Sequence, residues 1–391
     1  MSDTKKSKRL NINFKQYGIL IALVVIVILF NILTNGKLLA PNNVASLVQQ
    51  NAYVMVLTIG MTMVIIARHI DLSVGSVVAF VGGIVALLMY DMQVPWLVAC
   101  LAGLLVGVLI GCWQGFWIAY VGIPAFIVTL GGMLIFRGLA IVLVEKTVSG
   151  LPTGFVSIAN GSIPNFLGFA GYMDVVTLVL GALVIVSVIL AAVRRRRADM
   201  KEGGLVEPMM SFIIRNVLIA AVIAYVTYLL SMSAGGTPIV LVIIGVLVVA
   251  YSFVMAKTKF GRRIYAVGGN LRAAELSGVN TRRVDFFAFV NMGVLASLAG
   301  IVTTSRAGAA VATAGNMYEM DAIAAAFIGG TAVSGGIGKI SGAIIGALIM
   351  GVLNMGLSIL SVDSAWQQAI KGLVVILAVA STFITSRKGS H

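Results

Sequence analysis

The stretch GLLVGVLIGCWQGFWIAYVGI, Gly103 to Ile123, decides the fold. It holds no charged residue in 21 positions, and a helix of that length crosses the ~30 Å hydrocarbon core of a bilayer. Gly103, Gly107 and Gly111 recur at spacing four, and Gly115 extends the stripe. Small residues on one helical face let neighbouring helices approach closely. In lipid this contact matters, because no water-driven force pulls helices together.

The rest of the chain repeats this character. Of its 391 residues 60% are hydrophobic and 10% charged, against about 25% charged in soluble domains. The apolar residues fall in blocks long enough to span, whereas a β-barrel would show short alternating segments. The expected fold is all-α: one polytopic helical membrane domain of about 10–12 transmembrane helices. Spans are placed near 17–34, 44–66, 72–90, 95–120, 125–144, 173–193, 211–230, 237–256, 284–304, 320–336, 340–361 and 365–386. Two of them are weak. SLVQQNAY puts polar amides early in 44–66, and 320–336 is short and Gly-rich, with re-entry as the alternative to crossing.

The formal net charge of +14 does not point to nucleic acid. Most of the 27 Lys and Arg lie in residues 1–16, 194–215, 257–283 and 387–388, and basic residues collect in cytoplasmic loops. Twelve crossings with the tail 1–16 inside put every one of these runs in the cytoplasm, with both termini there. The stretch 194–230, RRRRADMKEGGLVEPMM and the apolar run after it, reads as an inserted segment whose arginines anchor the topology. The long external loop, 146–172, contains LPTGF, Leu151 to Phe155. It resembles a wall-sorting signal, but such signals sit near a C-terminus, so the match is coincidental. Cys100 and Cys112 share one apolar run, and His69 and His391 are the only histidines. Neither pattern makes a disulfide framework or a metal site. No G-x-x-x-x-G-K-[ST] occurs, so ATP is not cradled by that route. Few acids and two histidines offer no catalytic constellation.

Two regions echo each other. In one, Asp71 opens an apolar segment ending in Gly-Gly, and a later helix carries Gly103, Gly107, Gly111, Gln114 and Gly115. In the other, Asp321 opens such a segment, and a later helix carries Gly342, Gly346, Gly351, Asn354 and Gly356. The topology gives them opposite orientations. Inverted repeats mark transporters, with the pathway at the repeat interface. The halves are drawn at 44–144 and 284–386.

Polar residues inside spans mark function when they do not simply bond helices together. The pathway candidates are Asn51, Asp71, Ser73, Trp113, Gln114, Phe126 and Asn354, with Gln49, Gln50, Trp117 and Tyr120 nearby. Amides, hydroxyls and indole faces suit a sugar. Arg137 and Lys371 lie within apolar runs and either snorkel or pair across helices. Asp71 has Arg68 at the same edge as a candidate partner, and Asp321 is placed to cap its helix. No carboxylate is expected at mid-membrane. This argues against the alternative function, an ion-coupled secondary sugar transporter, which needs such a group.

GRRIYAVGGNLRAAELSG, Gly261 to Gly278, is the least membrane-like part. NLRAAELSG reads as a short helix capped by Asn270 and ended by Gly278. Arg262, Arg263, Arg272 and Glu275 form a charged rim, Ala273, Ala274 and Leu276 an apolar side, and Gly268-Gly269 a turn. A topology anchor explains the arginines but not a capped helix.

The motifs IDLSVGS (70–76), IPAFIVTLGGMLIFRG (123–138), FGRRIYAVGGNLRAAELSGVN (260–280) and AIAAAFIGGTAVSGGIGKISGAIIGALIMG (322–351) occur in order. Together they resemble the permease subunits of ribose/xylose-type ATP-binding-cassette sugar importers, from about residue 17 to 386. The extra span near 194–230 is similar to the longer, multiple-monosaccharide members. One departure is Arg68-His69, where members often have a small residue and an acid, or two glycines. The resemblance implies a homodimer in the bacterial cytoplasmic membrane and a separate ATPase with two fused nucleotide-binding halves that holds the ATP. It also implies an extracytoplasmic sugar-binding protein that sets specificity. No cofactor is expected on this chain. The loop 257–283 is assigned to docking on the ATPase.

Overall fold

The computed structural model describes residues 14–201, 203 and 208–387. The basic tail ahead of residue 14 and the last basic residue, Lys388, lie outside them. Most of the described chain is helical. Helix α1 is Phe14–Leu33, and α2 (Pro41–Gln50) and α3 (Ala52–Ile66) meet at a 44° bend. The break falls at Asn51, whose backbone leaves the helical region, within the amide-rich stretch that made this span weak. Next come α4 (Val74–Tyr90), α5 (Trp96–Phe116) with a π-helical turn at Trp117–Val121, and α6 (Ala125–Leu143). The loop expected to be external, 146–172, folds a short α7 (Thr153–Asn160) between β1 (Val148–Ser149) and the hairpin of β2 (Phe169–Ala170) and β3 (Met173–Asp174). Leu151 and Phe155 of LPTGF are buried core residues. Helices α8 (Val175–Lys201), α9 (Met209–Ser231) and α10 (Ile239–Lys257) follow. The four arginines therefore continue α8 rather than break it.

Proline punctuates the chain. Pro41 is the first residue of α2, and Pro95, Pro124, Pro152, Pro208 and Pro238 immediately precede α5, α6, α7, α9 and α10. Proline has no amide hydrogen to give inside a helix but none is needed at its start, so it sets boundaries.

The remaining elements are α11 (Lys259–Gly269), α12 (Leu271–Leu276), α13 (Thr281–Ala307), β4 (Ala309–Ala310), α14 (Tyr318–Ile328), α15 (Ile340–Ile359) and α16 (Ser364–Arg387). Strand β4 pairs antiparallel with β1. Among the described residues, seven helices are long and apolar enough to cross a membrane, or eight if the bent pair α2–α3 is one span. The apolar part of α1, Gly18–Leu33, and α4 are shorter. The expected span 320–336 is realised only as α14. Its 11 residues rise about 16 Å, half of a bilayer core, and residues 329–339 then run as a loop.

Helix α3 is buried along almost its whole length. Around it, α4 packs on α5, α6 and α13, while α14 packs on α15, α16 and α3. The glycine stripe of α5 lies along α13. A Cβ at Gly107 would sit 2.5 Å from the Gly293 carbonyl oxygen, and one at Gly111 2.6 Å from that of Phe289. The glycines of α15 are less uniform. Gly342 and Gly346 face α14, Gly351 faces Asn51 and Gly356 faces Phe30.

Candidate functional site

Two breaks carry polar chain into the bundle. The first is 67–73, between α3 and α4. Its polar centre is Asp71, whose Oδ1 accepts from the Ser73 amide (2.8 Å) and hydroxyl (2.6 Å). Gln114 Nε2 donates to Ser73 Oγ at 2.7 Å. Thr129 on α6 donates to the Ile70 carbonyl at 3.3 Å. Asp71, Ser73 and Gln114 are all buried. Arg68 is not the partner of Asp71. Its backbone is left-handed (φ 71°), and its guanidinium turns away to the carbonyls of Gly268 (2.7 Å) and Gly269 (3.0 Å). His69 Nε2 lies 3.2 Å from Asp285.

The second break is 308–317, between α13 and α14. Arg137 donates from α6 to the carbonyls of Ala312 (2.9 Å) and Ala314 (2.7 Å), and Gly315 lies against Gly75. Beside this break sits Asp321. Lys371 Nζ approaches its Oδ1 at 3.1 Å, and the Tyr53 hydroxyl donates to its Oδ2 at 2.7 Å. Asn354 Nδ2 reaches the same oxygen at 3.5 Å and Asn51 Oδ1 at 3.1 Å. Asp321 does not cap its helix. It lies inside the first turn, with Met317 at the cap position. Lys371 pairs across helices with Asp321, while Arg137 reaches from α6 to the backbone of the break.

Asp71, Glu319 and Asp321 are all buried in the bundle. The broken helices explain this, because each break brings chain ends and their polar groups inward, where the partners above receive them. Tyr53, Glu319 and Lys371 were not among the candidates. An acid and a base in two of the last apolar runs, Asp321 and Lys371, were the available signal.

The seven pathway candidates therefore split. Asp71, Ser73 and Gln114 form one cluster, and Asn51 and Asn354 belong to the other. Trp113 and Phe126 join neither. Both are exposed on the outside of the described chain, with Trp113 edge-on to Phe136.

The charged stretch is two helices in series. Thr258 caps α11 by accepting from the Gly261 amide at 3.2 Å, and Asn270 caps α12 by accepting from Ala273 at 3.0 Å. Gly278, at φ 78°, ends α12: its amide bonds Glu275 O (2.9 Å) and Val279 bonds Ala274 O (3.0 Å). This is the left-handed termination glycine favours. Arg262, Arg263, Arg272 and Glu275 are exposed. Arg272 and Glu275 are 3.7 Å apart, an exposed pair that contributes little to stability. Ala274 is buried, but Leu276 is 81% exposed, so the apolar side is only partly covered.

Gly268-Gly269 is not a turn but the last turn of α11. A Cβ at Gly268 would collide with the Ile66 carbonyl and lie 2.6 Å from the Gly336 amide, which itself bonds Ile66 O at 2.9 Å. The Tyr265 hydroxyl donates to Gly338 O at 2.7 Å. Burial pushes that phenol above its ordinary pKa, keeping it a donor. The stretch is thus tied to the end of α3 and to the α14–α15 loop.

Similarity to known proteins gives this geometry its setting. The chain is 36% identical over 379 residues to the xylose transport system permease protein XylH of Escherichia coli (strain K12), covering 97% of this chain and 94% of that protein. It is 36% identical over 370 residues to XylH of Haemophilus influenzae, covering 94% of this chain and 96% of that one. It is 35% identical over 368 residues to the ribose import permease protein RbsC of Bacillus subtilis (strain 168), covering 93% and 92%. No solved structure matches. The family described as branched-chain amino acid transport system / permease component matches residues 43–379. With buried polar breaks inside an apolar helical bundle, the chain belongs to this family of membrane permease components, and is not an enzyme.

Proposed function

We propose that this chain is the translocation subunit of an ATP-binding-cassette importer for a monosaccharide, a pentose such as xylose or a related sugar. It works in a bacterial cytoplasmic membrane, with both termini cytoplasmic and two copies enclosing the pathway. A sugar-loaded binding protein docks on the external loops, including 146–172. A separate ATPase with two nucleotide-binding halves holds the ATP and docks at α11–α12. Xylose and ribose in the relatives' names support the substrate class.

One observation carries the coupling role. The α11–α12 stretch is capped at both helix starts, exposes its charged rim and Leu276, and contacts the ends of the buried helices through Gly268, Arg68 and Tyr265. Closure of the ATPase halves moves this stretch, and the motion opens the pathway. A partner shifts such an equilibrium only by differential affinity for its two states. The pseudo-repeat reading is supported by the exchange in which α4 lies on α13 and α14 on α3. The clusters at Asp71–Ser73–Gln114 and Asn51–Asn354 are the proposed pathway walls. Asp321 faces Lys371, so it is not a free carboxylate of the kind an ion-coupled carrier uses.

The test is transport in liposomes with the purified ATPase and xylose- or ribose-binding proteins. Sugar uptake is expected only with ATP, and accumulation without it sinks the proposal. Glu275→Arg and Gly278→Leu are expected to insert normally yet lose ATP-driven uptake. Wild-type uptake in both would remove α11–α12 from the coupling role.

A further inference from the structure

The bend at Asn51 and the start of α14 open onto one cleft of about 410 Å³, counting the space at its mouth. Gln49 and Gln50 come from the last turn of α2, and Tyr53 from the first turn of α3. Thr303 and Arg306 come from the end of α13, and Tyr318 begins α14. Each therefore sits where a helix stops or starts, the place where discontinuous helices hold substrates at a repeat interface.

The rings of Tyr53 and Tyr318 lie face to face, with centroids 3.5 Å apart and planes 13° from parallel. They form one wall. Behind them the Tyr53 hydroxyl is committed to Asp321, and among the described residues no carboxylate lines the cleft. Asn160 braces the opposite side. Its Oδ1 accepts from Arg306, and its carbonyl accepts from Gln49 Nε2 at 3.2 Å.

This chemistry is selective. The amides of Gln49 and Gln50, which both donate and accept, and the Arg306 guanidinium match the hydroxyls of a sugar. The stacked tyrosine pair gives the C–H side of its ring an apolar aromatic wall. An amino acid would bring its ammonium group beside Arg306 with no acid in the cleft to receive it. We infer that this cleft is a binding subsite for a neutral monosaccharide on the outer side of the permease, walled by the Tyr53–Tyr318 stack. The inference rests on the importer reading, which places the end of α13 outside.

The experiment separates the two. Gln50, exposed at the mouth, is changed to cysteine in full-length permease carrying Cys100→Ala and Cys112→Ala. The assembled importer in liposomes is then treated from outside with a membrane-impermeant thiol reagent. D-xylose or D-ribose at about ten times its Kd is expected to slow labelling roughly tenfold, by mass action, while L-leucine and gluconate leave it unchanged. ATP-driven uptake by the parent importer is measured in parallel. Uptake without sugar protection, protection by leucine or gluconate instead, or a cysteine unreachable from outside overturns the subsite and leaves the importer reading standing. Protection without ATP-driven uptake overturns the importer reading and leaves the subsite. As a second measurement, Tyr318→Ala is expected to raise the KM for sugar, and Tyr318→Phe, which keeps the ring, to leave it near wild type. Unchanged KM in Tyr318→Ala also overturns the subsite.

Discussion

Asp71 and Asp321 each lie beside a break between two helices, and each is buried, yet they are held by opposite means. Asp71 is satisfied by its own neighbourhood, the amide and hydroxyl of Ser73 two residues on, with Gln114 supporting that hydroxyl from α5. Asp321 depends on distant chain: Lys371 on the last helix, Tyr53 on α3 and Asn354 on α15. The first arrangement is set when the break forms. The second exists only when four helices have assembled. A carboxylate satisfied locally by hydrogen bonds tolerates movement of the surrounding helices, whereas one neutralised by a remote cation ties those helices together.

The largest expected effect is at the second site. Lys371→Met and Asp321→Asn each leave one buried charge without its counter-charge, at a cost of about 3–5 kcal/mol. Denaturation of the purified permease in mixed micelles measures this, and the double variant Lys371→Met/Asp321→Asn is expected to recover most of the loss. A double variant as unstable as either single would break the contrast. Gln114→Leu is the intermediate case. It removes one donor from Ser73 Oγ and is expected to cost about 1–2 kcal/mol in the same assay. The smallest effect is Asp71→Asn. Only Oδ1 of Asp71 accepts, and an asparagine carbonyl can replace it, so a change below about 1 kcal/mol is expected. A loss matching that of Lys371→Met would show that the charge of Asp71, and not its geometry, matters.

How much of this was legible in the chain depends on the range of the contacts involved. The long apolar helices, the cap at Asn270 and the glycine stop at Gly278 rest on neighbours in sequence, and the structure has them where the residues indicated. The weakness of 44–66 at its amides marked a real bend. Long-range contacts were not legible. Nothing local says that Arg68 would turn to Gly268 rather than Asp71, or that residues 308–317 would be received by Arg137. A hydropathy window also averages α14 with the glycine loop after it, so a half-length helix reads as a span. The pathway set was divided for the same reason: residue type proposes a polar wall, but only packing decides which side of a helix faces inward.

The contact of Gly268 with Ile66 and Gly336 has a mechanical consequence. Three segments meet there main chain against main chain, pinned by Arg68 and Tyr265. Side chains can absorb a displacement by changing rotamer, but backbone in contact with backbone has no such give. The joint therefore has no play. A displacement of α11–α12 would therefore reach the foot of α3 and the α14–α15 loop together, and through them the two ends that frame the buried polar interior.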